Sequence, residues 1–296
     1  MNAKRWLLWI GHMFLPCALA ISAGCGSDDD SESPASALKV ALLPDESPAS
    51  IIRKNEPLKN YLELVLKRDI RLIVTTDYSS MIEAMRRGQI DVGYFGPLSY
   101  VLLKERMPGA TPFAAKIEGG APTYRSLLIT AADSGIERIE DLKGKTVAFG
   151  DPASTSSHLI PRVLILKRGG LKAGQDYKPV FVGAHDAVAL NVQNGNAQAG
   201  GLSRPLFESL CEQGTINRQK IKILAQSDPC PNYPWVLRSD LEPELQSEIS
   251  RAFFDLKKLN VLEPLKAEGF APVADGDYDV VREMVKILGI NPEKPQ

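Results

Sequence analysis

The chain has 296 residues, of which 24% are charged and 44% are hydrophobic, and its formal net charge is −1. This composition is typical of a folded, water-soluble protein of about two domains, and it excludes a largely disordered chain. The sequence has no basic face and no nucleic-acid motif, which argues against a DNA or RNA partner.

The N-terminus has the pattern of an export signal, in which two basic residues precede an apolar run. Ile21–Cys25 is typical of a bacterial lipobox, although Ser22 stands where leucine is usual. We therefore expect a signal peptide over residues 1–24, a lipidated Cys25, and a flexible acidic tether over residues 25–37. Secretion without a lipid is the alternative.

Two sets of alternating strands and helices follow, and a helical tail ends the chain. The predicted strands cover residues 38–44, 69–75, 90–94, 124–130, 146–149, 178–183, 197–202, 221–226 and 235–237. The predicted helices cover residues 57–66, 78–87, 98–105, 136–142, 159–167, 187–193, 206–213, 243–259, 261–268 and 278–288. Strands that alternate with helices indicate parallel sheets covered on both faces.

Strand 235–237 is expected to return to the first sheet, so that the chain crosses between two lobes twice. Two crossings create a hinge and a cleft. We therefore predict an α/β fold of two lobes, each a mostly parallel sheet flanked by helices. Lobe 1 is expected to comprise residues 38–130 and 234–296, and lobe 2 residues 131–233.

Four consecutive hydroxyl residues, Ser154 to Ser157, form the most informative segment. They follow strand 146–149 and a Gly-Asp-Pro turn, and they open a helix. Amides at a helix start lack intrahelical partners, and the helix dipole places partial positive charge there. With the added hydroxyls, this turn predicts a site for a tetrahedral oxyanion. The alternative is that one hydroxyl caps the helix and the others face water.

Further polar side chains fall beyond the carboxyl ends of predicted strands, where open α/β sheets bind ligands. They are Tyr78, Tyr94, Ser99 and His185. Each also has an ordinary interpretation, as a partly buried aromatic residue or as a residue at a helix start. Asp45 and Glu46 occupy a similar position, but acidic groups repel an anion, so we interpret them as a solvated turn.

Catalytic and metal signatures are sparse in the sequence. Ser154 or Ser157 with His185 would be the nucleophile and base of a hydrolase, but no Gly-x-Ser-x-Gly elbow is present. No spacing of His and Cys indicates a metal site, and no Gly-rich loop indicates a nucleotide. We therefore expect neither enzymatic activity nor a metal or cofactor.

Cys211 and Cys230 remain once the leader is removed and Cys25 is lipidated. In an oxidising, exported compartment two remaining cysteines predict a disulfide. A zinc pair is the weaker alternative, because no His or Cys lies close by in the sequence.

Several segments occur in the order and at the spacing of a known family. They are Thr76–Tyr78, Asp91–Ser99, Gly150–Ser156 and Gly183–His185. From about Leu38 to Leu259 the chain resembles the phosphonate and phosphite substrate-binding proteins of ABC importers. The resemblance implies a two-lobed periplasmic binding protein of the type II-like kind, which closes on its ligand by a hinge.

The resemblance also implies which residues hold the ligand oxygens. These are Tyr78, Tyr124, Ser154, Thr155, Ser156 and His185. Two carboxylates that hold a ligand amine in relatives correspond to Pro205 and Tyr233, and neither pairs with an ammonium ion. An aminoalkylphosphonate would lose a charge-assisted hydrogen bond of about 1.5–3 kcal/mol. We therefore expect phosphite, methylphosphonate or phosphate as the ligand.

The expected protein is a monomeric, lipid-anchored binding protein of the periplasm or cell envelope. It delivers a small phosphorus oxyanion to an ABC permease in the inner membrane. The alternatives are a sensing lobe that reports to a membrane kinase, a binding protein for another small anion such as a sulfonate or for a thiamine precursor, and a Ser/His hydrolase.

Overall fold

The computed structural model describes residues 37–291, which form two lobes of α/β structure. The strands, in chain order, are β1 (Leu38–Leu42), β2 (Ile70–Val74), β3 (Val92–Tyr94), β4 (Thr111–Lys116), β5 (Thr123–Tyr124), β6 (Ser126–Ala131), β7 (Thr146–Phe149), β8 (Lys178–Phe181), β9 (Ala199–Ser203), β10 (Ile221–Gln226), β11 (Cys230–Pro231), β12 (Pro234–Leu237) and β13 (Phe270–Pro272). The helices are α1 (Pro48–Leu66), α2 (Tyr78–Arg86), α3 (Pro97–Arg106), α4 (Ile160–Gly169), α5 (His185–Gln193), α6 (Arg204–Glu212), α7 (Pro243–Phe254), α8 (Leu259–Leu262) and α9 (Asp279–Leu288). The two-lobed α/β architecture expected from the sequence is confirmed.

Lobe 1 is built on a sheet with the strand order β13-β4-β12-β3-β1-β2. Strand β1 pairs in parallel with β2 and β3, whereas β12 and β13 run antiparallel to their neighbours. Apart from Lys39, the residues of β1 are apolar and buried, as expected for a strand that is covered on both faces.

Lobe 2 is built on a sheet with the strand order β10-β6-β9-β7-β8. Strand β7 pairs in parallel with β8 and β9, and β6 pairs antiparallel with β9 and β10. Both sheets are therefore mixed and not mostly parallel as expected. Most of the antiparallel pairs in the two sheets involve β6 or β12, which follow hinge segments, and the remaining pair joins β4 to β13.

The chain passes between the lobes at β5 and β11, which pair with each other in antiparallel fashion. The lobe boundary expected after residue 130 is wrong, because Ser126–Ala131 pairs with two strands of the second sheet. This strand follows β5 after a single residue, so no loop in the sequence marks the crossing. On the return, β12 begins at Pro234 and belongs to the first sheet.

Prolines explain the main differences between the expected and the observed elements of lobe 1. Helix α1 begins at Pro48 and is capped by Ser47, so Pro57 lies inside the helix, where a proline removes a hydrogen bond. For this reason Pro57 was interpreted as the helix start. Strands β4 and β13 are absent from the predicted set. Each contains a proline, which is unusual within a sheet, and β13 has only three residues.

The expected disulfide between Cys211 and Cys230 is wrong, because both are free thiols. Cys230 lies in β11 within an apolar cluster that includes Tyr124, and burial raises the pKa of its thiol to about 12. Cys211 lies on α6 and packs against a separate cluster of lobe 2. The two cysteines lie in different clusters of the fold, and a disulfide forms only between cysteines that the fold brings together. A count of cysteines in the sequence does not show whether they are close.

Within residues 37–291, no cluster of three His, Cys, Asp or Glu side chains could hold a metal ion. No helix of this described part is long and apolar enough to cross a membrane. The expected signal peptide, the lipidated Cys25 and the tether up to residue 36 lie outside the described residues.

One apolar cluster contains residues of both lobes. Lobe 1 contributes residues of α2, α3 and α9, including Met81, Val101 and Val285, and lobe 2 contributes Leu159 and Ile160. Because this packing holds the lobes together, the carboxyl ends of β1, β2 and β3 face those of β7 and β8. Ligands of open α/β sheets bind at such strand ends, and the polar residues described next lie there.

Candidate functional site

A turn rich in hydroxyl groups joins β7 to α4 in lobe 2. A Cβ at Gly150 would lie 2.1 Å from Ser157 Oγ, so only glycine fits at the start of this turn. Ser154 caps the π-helical turn Thr155–Leu159 that follows, and its Oγ accepts the Ser157 N–H at 3.3 Å. Turns of this kind are rare and concentrate at functional sites. Their first amides have no intrahelical acceptor and can donate to an anion.

Two tyrosine hydroxyls are buried near this turn without a hydrogen-bond partner among the described residues. Tyr78 is the first residue of α2 and is 1% exposed, and Tyr124 ends β5 at the hinge and is 4% exposed. Buried polar groups are nearly always satisfied, so an unpartnered donor needs an explanation. A bound acceptor between the lobes would satisfy both hydroxyls.

Burial raises the pKa of the Tyr78 and Tyr124 phenols well above their ordinary value. The hydroxyl of Ser154 opposes this shift at Tyr78, and the hydroxyls of Ser156 and Thr155 oppose it at Tyr124. The phenols therefore lie close to the hydroxyl turn and remain protonated donors at neutral pH. The structure thus brings together the two tyrosines and the three hydroxyl residues that the sequence analysis singled out.

His185 is the first residue of α5 and completes this group of donors. Its ring Nδ1 accepts the Ser203 N–H at 3.2 Å, so the ring proton is assigned to Nε2. Nε2 lies 3.4 Å from Ser154 Oγ. Burial lowers the pKa of His185 to about 3, so the ring is a neutral N–H donor.

Three of the hydrogen bonds that cross the cleft start from an amide in the first turn of a helix. They run from Tyr78 N–H to Asp151 Oδ2 (3.3 Å), from Leu98 N–H to Thr155 Oγ1 (2.7 Å) and from His185 N–H to the carbonyl oxygen of Asp45 (3.0 Å). Because Thr155 Oγ1 accepts from Leu98, its own hydrogen is free to be donated to a ligand. The same residue therefore contacts the opposite lobe and faces the site.

Tyr94 and Ser99 lie at the edge of this group. Ser99 Oγ donates to Gly96 O at 3.0 Å within the first turn of α3, so its hydrogen is already used. The Tyr94 ring packs at 5.4 Å from the ring of Tyr233 and at 5.0 Å from that of Trp235. Tyr94 therefore forms part of an aromatic wall.

Tyr233 has a more direct place in the site than the sequence indicated. Its Oη lies 3.4 Å from Ser156 Oγ, and its ring packs edge-on against Tyr124 at 5.1 Å. From the sequence, Tyr233 is expected to offer no carboxylate to a ligand amine and, together with Trp235, to form a wall of the cleft that limits the size of the ligand. Tyr233 lies where the chain returns to lobe 1, and this position in the sequence indicates that its side chain is near the cleft.

A cavity of about 120 Å³ adjoins the donor group on the side of Tyr124 and Tyr233. Its charged and polar lining residues include Asp45, Glu46, Lys54, Lys116, Glu118 and Ser203. The interpretation of Asp45 and Glu46 as a solvated turn is therefore wrong. The turn after β1 points into the cleft because β1 lies inside its sheet, and solvent does not surround the end of such a strand.

The hydrolase alternative lacks a base in this geometry. The Nε2 of His185 carries the proton toward Ser154, and its Nδ1 already accepts from an amide, so the ring cannot take the serine proton. Asp186 does not orient the ring, because its carboxylate accepts the N–H of Ala187 at the start of α5. The described groups at this site are hydrogen-bond donors, and no general base is placed beside Ser154.

Comparisons with known proteins show the family to which the chain belongs. The family model described as "ABC transporter, phosphonate, periplasmic substrate-binding protein" matches residues 40–278. The chain is 27% identical to the phosphate-import protein PhnD of Mycolicibacterium smegmatis, over 92% of this chain and 94% of that protein. It is 23% identical to a probable phosphite-binding protein of an ABC transporter, PhnD1 of Prochlorococcus marinus, over 85% of this chain and 89% of that protein.

The solved structure of PhnD1 from Prochlorococcus marinus in complex with methylphosphonate superposes with a TM-score of 0.79 at 21% identity. The match covers 86% of this chain and 98% of that one. At this identity the likeness shows the two-lobed fold.

The two described histidines are expected to be neutral at pH 5.5 in opposite tautomers. His158 donates from Nδ1 to Pro152 O, and its pKa is lowered to about 4 by burial, whereas His185 carries its proton on Nε2. Ring ¹⁵N chemical shifts check this, and His158→Gln assigns the signals. Because both folded-state pKa values are lowered, the neutral rings stabilise the fold above about pH 6.5, and this contribution is lost as the pH falls toward 4. Two rings that become charged near pH 6.5 would contradict the assignment.

Asp151→Asn is expected to open the cleft more often, because the new amide would place an N–H opposite that of Tyr78. The Asn oxygen can still accept from Ala153, so the turn keeps its local bond. Hydrogen exchange should become about tenfold faster in the peptides that contain Tyr78 and Leu98. Asp176→Asn is the control, because Asp176 accepts the N–H of Lys172 within one lobe. Equal exchange in wild type and Asp151→Asn would show that this bond does not hold the cleft closed.

Proposed function

Because the chain belongs to the family of periplasmic substrate-binding proteins of ABC phosphonate transporters, we propose that its ligand is a compact phosphorus oxyanion: phosphite, methylphosphonate or phosphate. The lobes close on the oxyanion, and the closed protein delivers it to the permease for import. The observation that carries this proposal is the pair of unpartnered buried hydroxyls, Tyr78 and Tyr124, beside the turn that contains Ser154, Thr155 and Ser156.

The donors are suited to a dianion because none of them is a carboxylate and none carries a full charge. Neutral hydroxyls, a neutral imidazole and helix-start amides bind an oxyanion by charge-assisted hydrogen bonds, which are shorter and stronger than neutral ones. Closure excludes water, and the same bonds are stronger in a medium of low dielectric. No covalent step is needed for capture and release.

The resemblance places the amine-binding carboxylates of relatives near Pro205 and Tyr233, and we propose that these two residues limit the substituents that the ligand can carry. Pro205 and Tyr233 both line the cavity, and neither carries a charge. The names of similar proteins include phosphate and phosphite, and one similar structure contains methylphosphonate. These ligands all lack an amine, as the proposal requires.

We expect Tyr78→Phe to weaken binding of the phosphorus oxyanion by about tenfold or more while the ligand-free protein keeps or gains stability. The variant removes one ligand contact and also removes a buried hydroxyl that has no partner in the protein. Calorimetric titration gives the affinity, and thermal unfolding without ligand gives the stability. Tyr61→Phe is the control, because its hydroxyl donates to Ala252 O far from the cleft.

The ligand panel for these titrations contains phosphite, methylphosphonate, phosphate, 2-aminoethylphosphonate and methanesulfonate. Tighter binding of methanesulfonate than of every phosphorus compound would favour the sulfonate alternative. An affinity of Tyr78→Phe equal to that of wild type would remove the proposed site.

We also propose that the exported protein is held at the membrane by a lipid on Cys25. The lipobox pattern and the acidic segment after it support this proposal. Palmitate added to growing cells should label the wild-type protein, and Cys25→Ser should abolish the label and release the protein in soluble form. A Cys25→Ser variant that is still labelled, or a wild type that is not, would refute the anchor.

A further inference from the structure

Asp45 follows β1 and is fixed beside the donor group. Its carbonyl oxygen accepts the His185 N–H at 3.0 Å, and the ring of His185 lies 3.4 Å from Ser154 Oγ. The backbone of Asp45 in lobe 1 is therefore held next to a ligand-facing residue of lobe 2.

The carboxyl group of Asp45 faces the cavity and forms no ion pair or hydrogen bond with another described residue. Glu46 and Glu118, the other acidic residues of the cavity, are paired with Lys54 and Lys116 respectively. The carboxyl group of Asp45 is thus not paired directly with a lysine as the other two are, although the charges of Lys54 and Lys116 and its own backbone amide favour its ionised form. An unpaired carboxylate in such a place is costly unless a ligand or solvent satisfies it.

The charge of Asp45 also reaches the donor group. Burial is the main cause that raises the pKa of the Tyr78 and Tyr233 phenols, and the negative charge of Asp45 is the next cause at each. The carboxyl therefore lies near the hydroxyls that face the ligand. It also favours their protonated form, in which they are donors.

The rest of the site offers hydrogens, and Asp45 offers lone pairs. The phenols of Tyr78 and Tyr124, Nε2–H of His185 and the amides of the hydroxyl turn are donors. The dianions of phosphite and methylphosphonate have acceptor oxygens only, and donors alone satisfy them. The hydrogen phosphate dianion keeps one P–OH hydrogen, which needs an acceptor.

We propose that Asp45 is the specificity-determining residue of the cleft: its carboxylate accepts a hydrogen bond from the P–OH group of hydrogen phosphate, so the protein prefers phosphate to phosphite and methylphosphonate. This inference rests on the proposed function and narrows its ligand. The carboxylate favours hydrogen phosphate, whose P–OH group donates a hydrogen bond to it. It disfavours the dianions of phosphite and methylphosphonate, which have no donor and are repelled by its charge.

The test is calorimetric titration of phosphate, phosphite and methylphosphonate at about pH 8, where Asp45, with a pKa of about 7, is mostly ionised and all three ligands are mainly dianions. Asp45→Ala should lower the affinity for phosphate about 10- to 100-fold and should leave or raise the affinities for the other two. Asp45→Asn keeps an acceptor oxygen and should retain part of the preference. Glu46→Gln is the control and should alter the three affinities in parallel, because Glu46 is paired with Lys54.

Each other result has a distinct meaning. An equal loss for all three ligands in Asp45→Ala would show a structural role and overturn the inference. Tighter wild-type binding of 2-aminoethylphosphonate than of phosphate, lost in Asp45→Ala, would show that Asp45 holds an amine and would overturn it as well. If wild type binds none of these compounds, the proposed function itself fails, and the inference fails with it.

Discussion

The closed cleft depends on helix-start amides that find their acceptors on the opposite lobe. Tyr78 and Leu98 at the starts of α2 and α3 donate to the hydroxyl-rich turn of lobe 2, and His185 at the start of α5 donates to lobe 1. Each of these amides would be unsatisfied within its own helix. Each lobe therefore supplies hydrogen-bond acceptors for the helix-start amides of the other lobe. Hydrogen-bond donors line the gap that remains between the lobes.

Desolvation sets the chemistry of that space. It keeps the tyrosines protonated and the imidazole of His185 neutral, because each charged form would lose its hydration. A group of neutral donors can surround a dianion without the cost of burying cations when the cleft is empty. The closed cleft therefore contains buried hydroxyls that no described residue satisfies, and under the proposed function the oxyanion accepts hydrogen bonds from them.

The sequence predicted the parts of the site that depend on local pattern. Ser154 and its neighbours, Tyr78 and His185 were found because each follows a predicted strand and opens a helix, and the structure places them together. The place of Asp45 in the cleft was not predicted, because an acidic group repels an anion and its turn is therefore expected to face solvent. The turn that contains Asp45 lies at the cleft because β1 is an inner strand of its sheet. That position depends on pairing with strands that are distant in the sequence.

The same distinction explains the error at Cys230. Its residue type and compartment favoured a bond to Cys211, but the hinge places it in an apolar cluster that contacts both lobes. The hinge is thus a packed part of the protein and not a flexible linker: Tyr124 and Tyr233, just before and after the two crossings, also face the ligand space. Under the proposed function the residues that bind the oxyanion are neighbours of the two crossings, so a change in the fit of the ligand would alter the free energy of closure. Affinity and closure would then be two measures of one equilibrium.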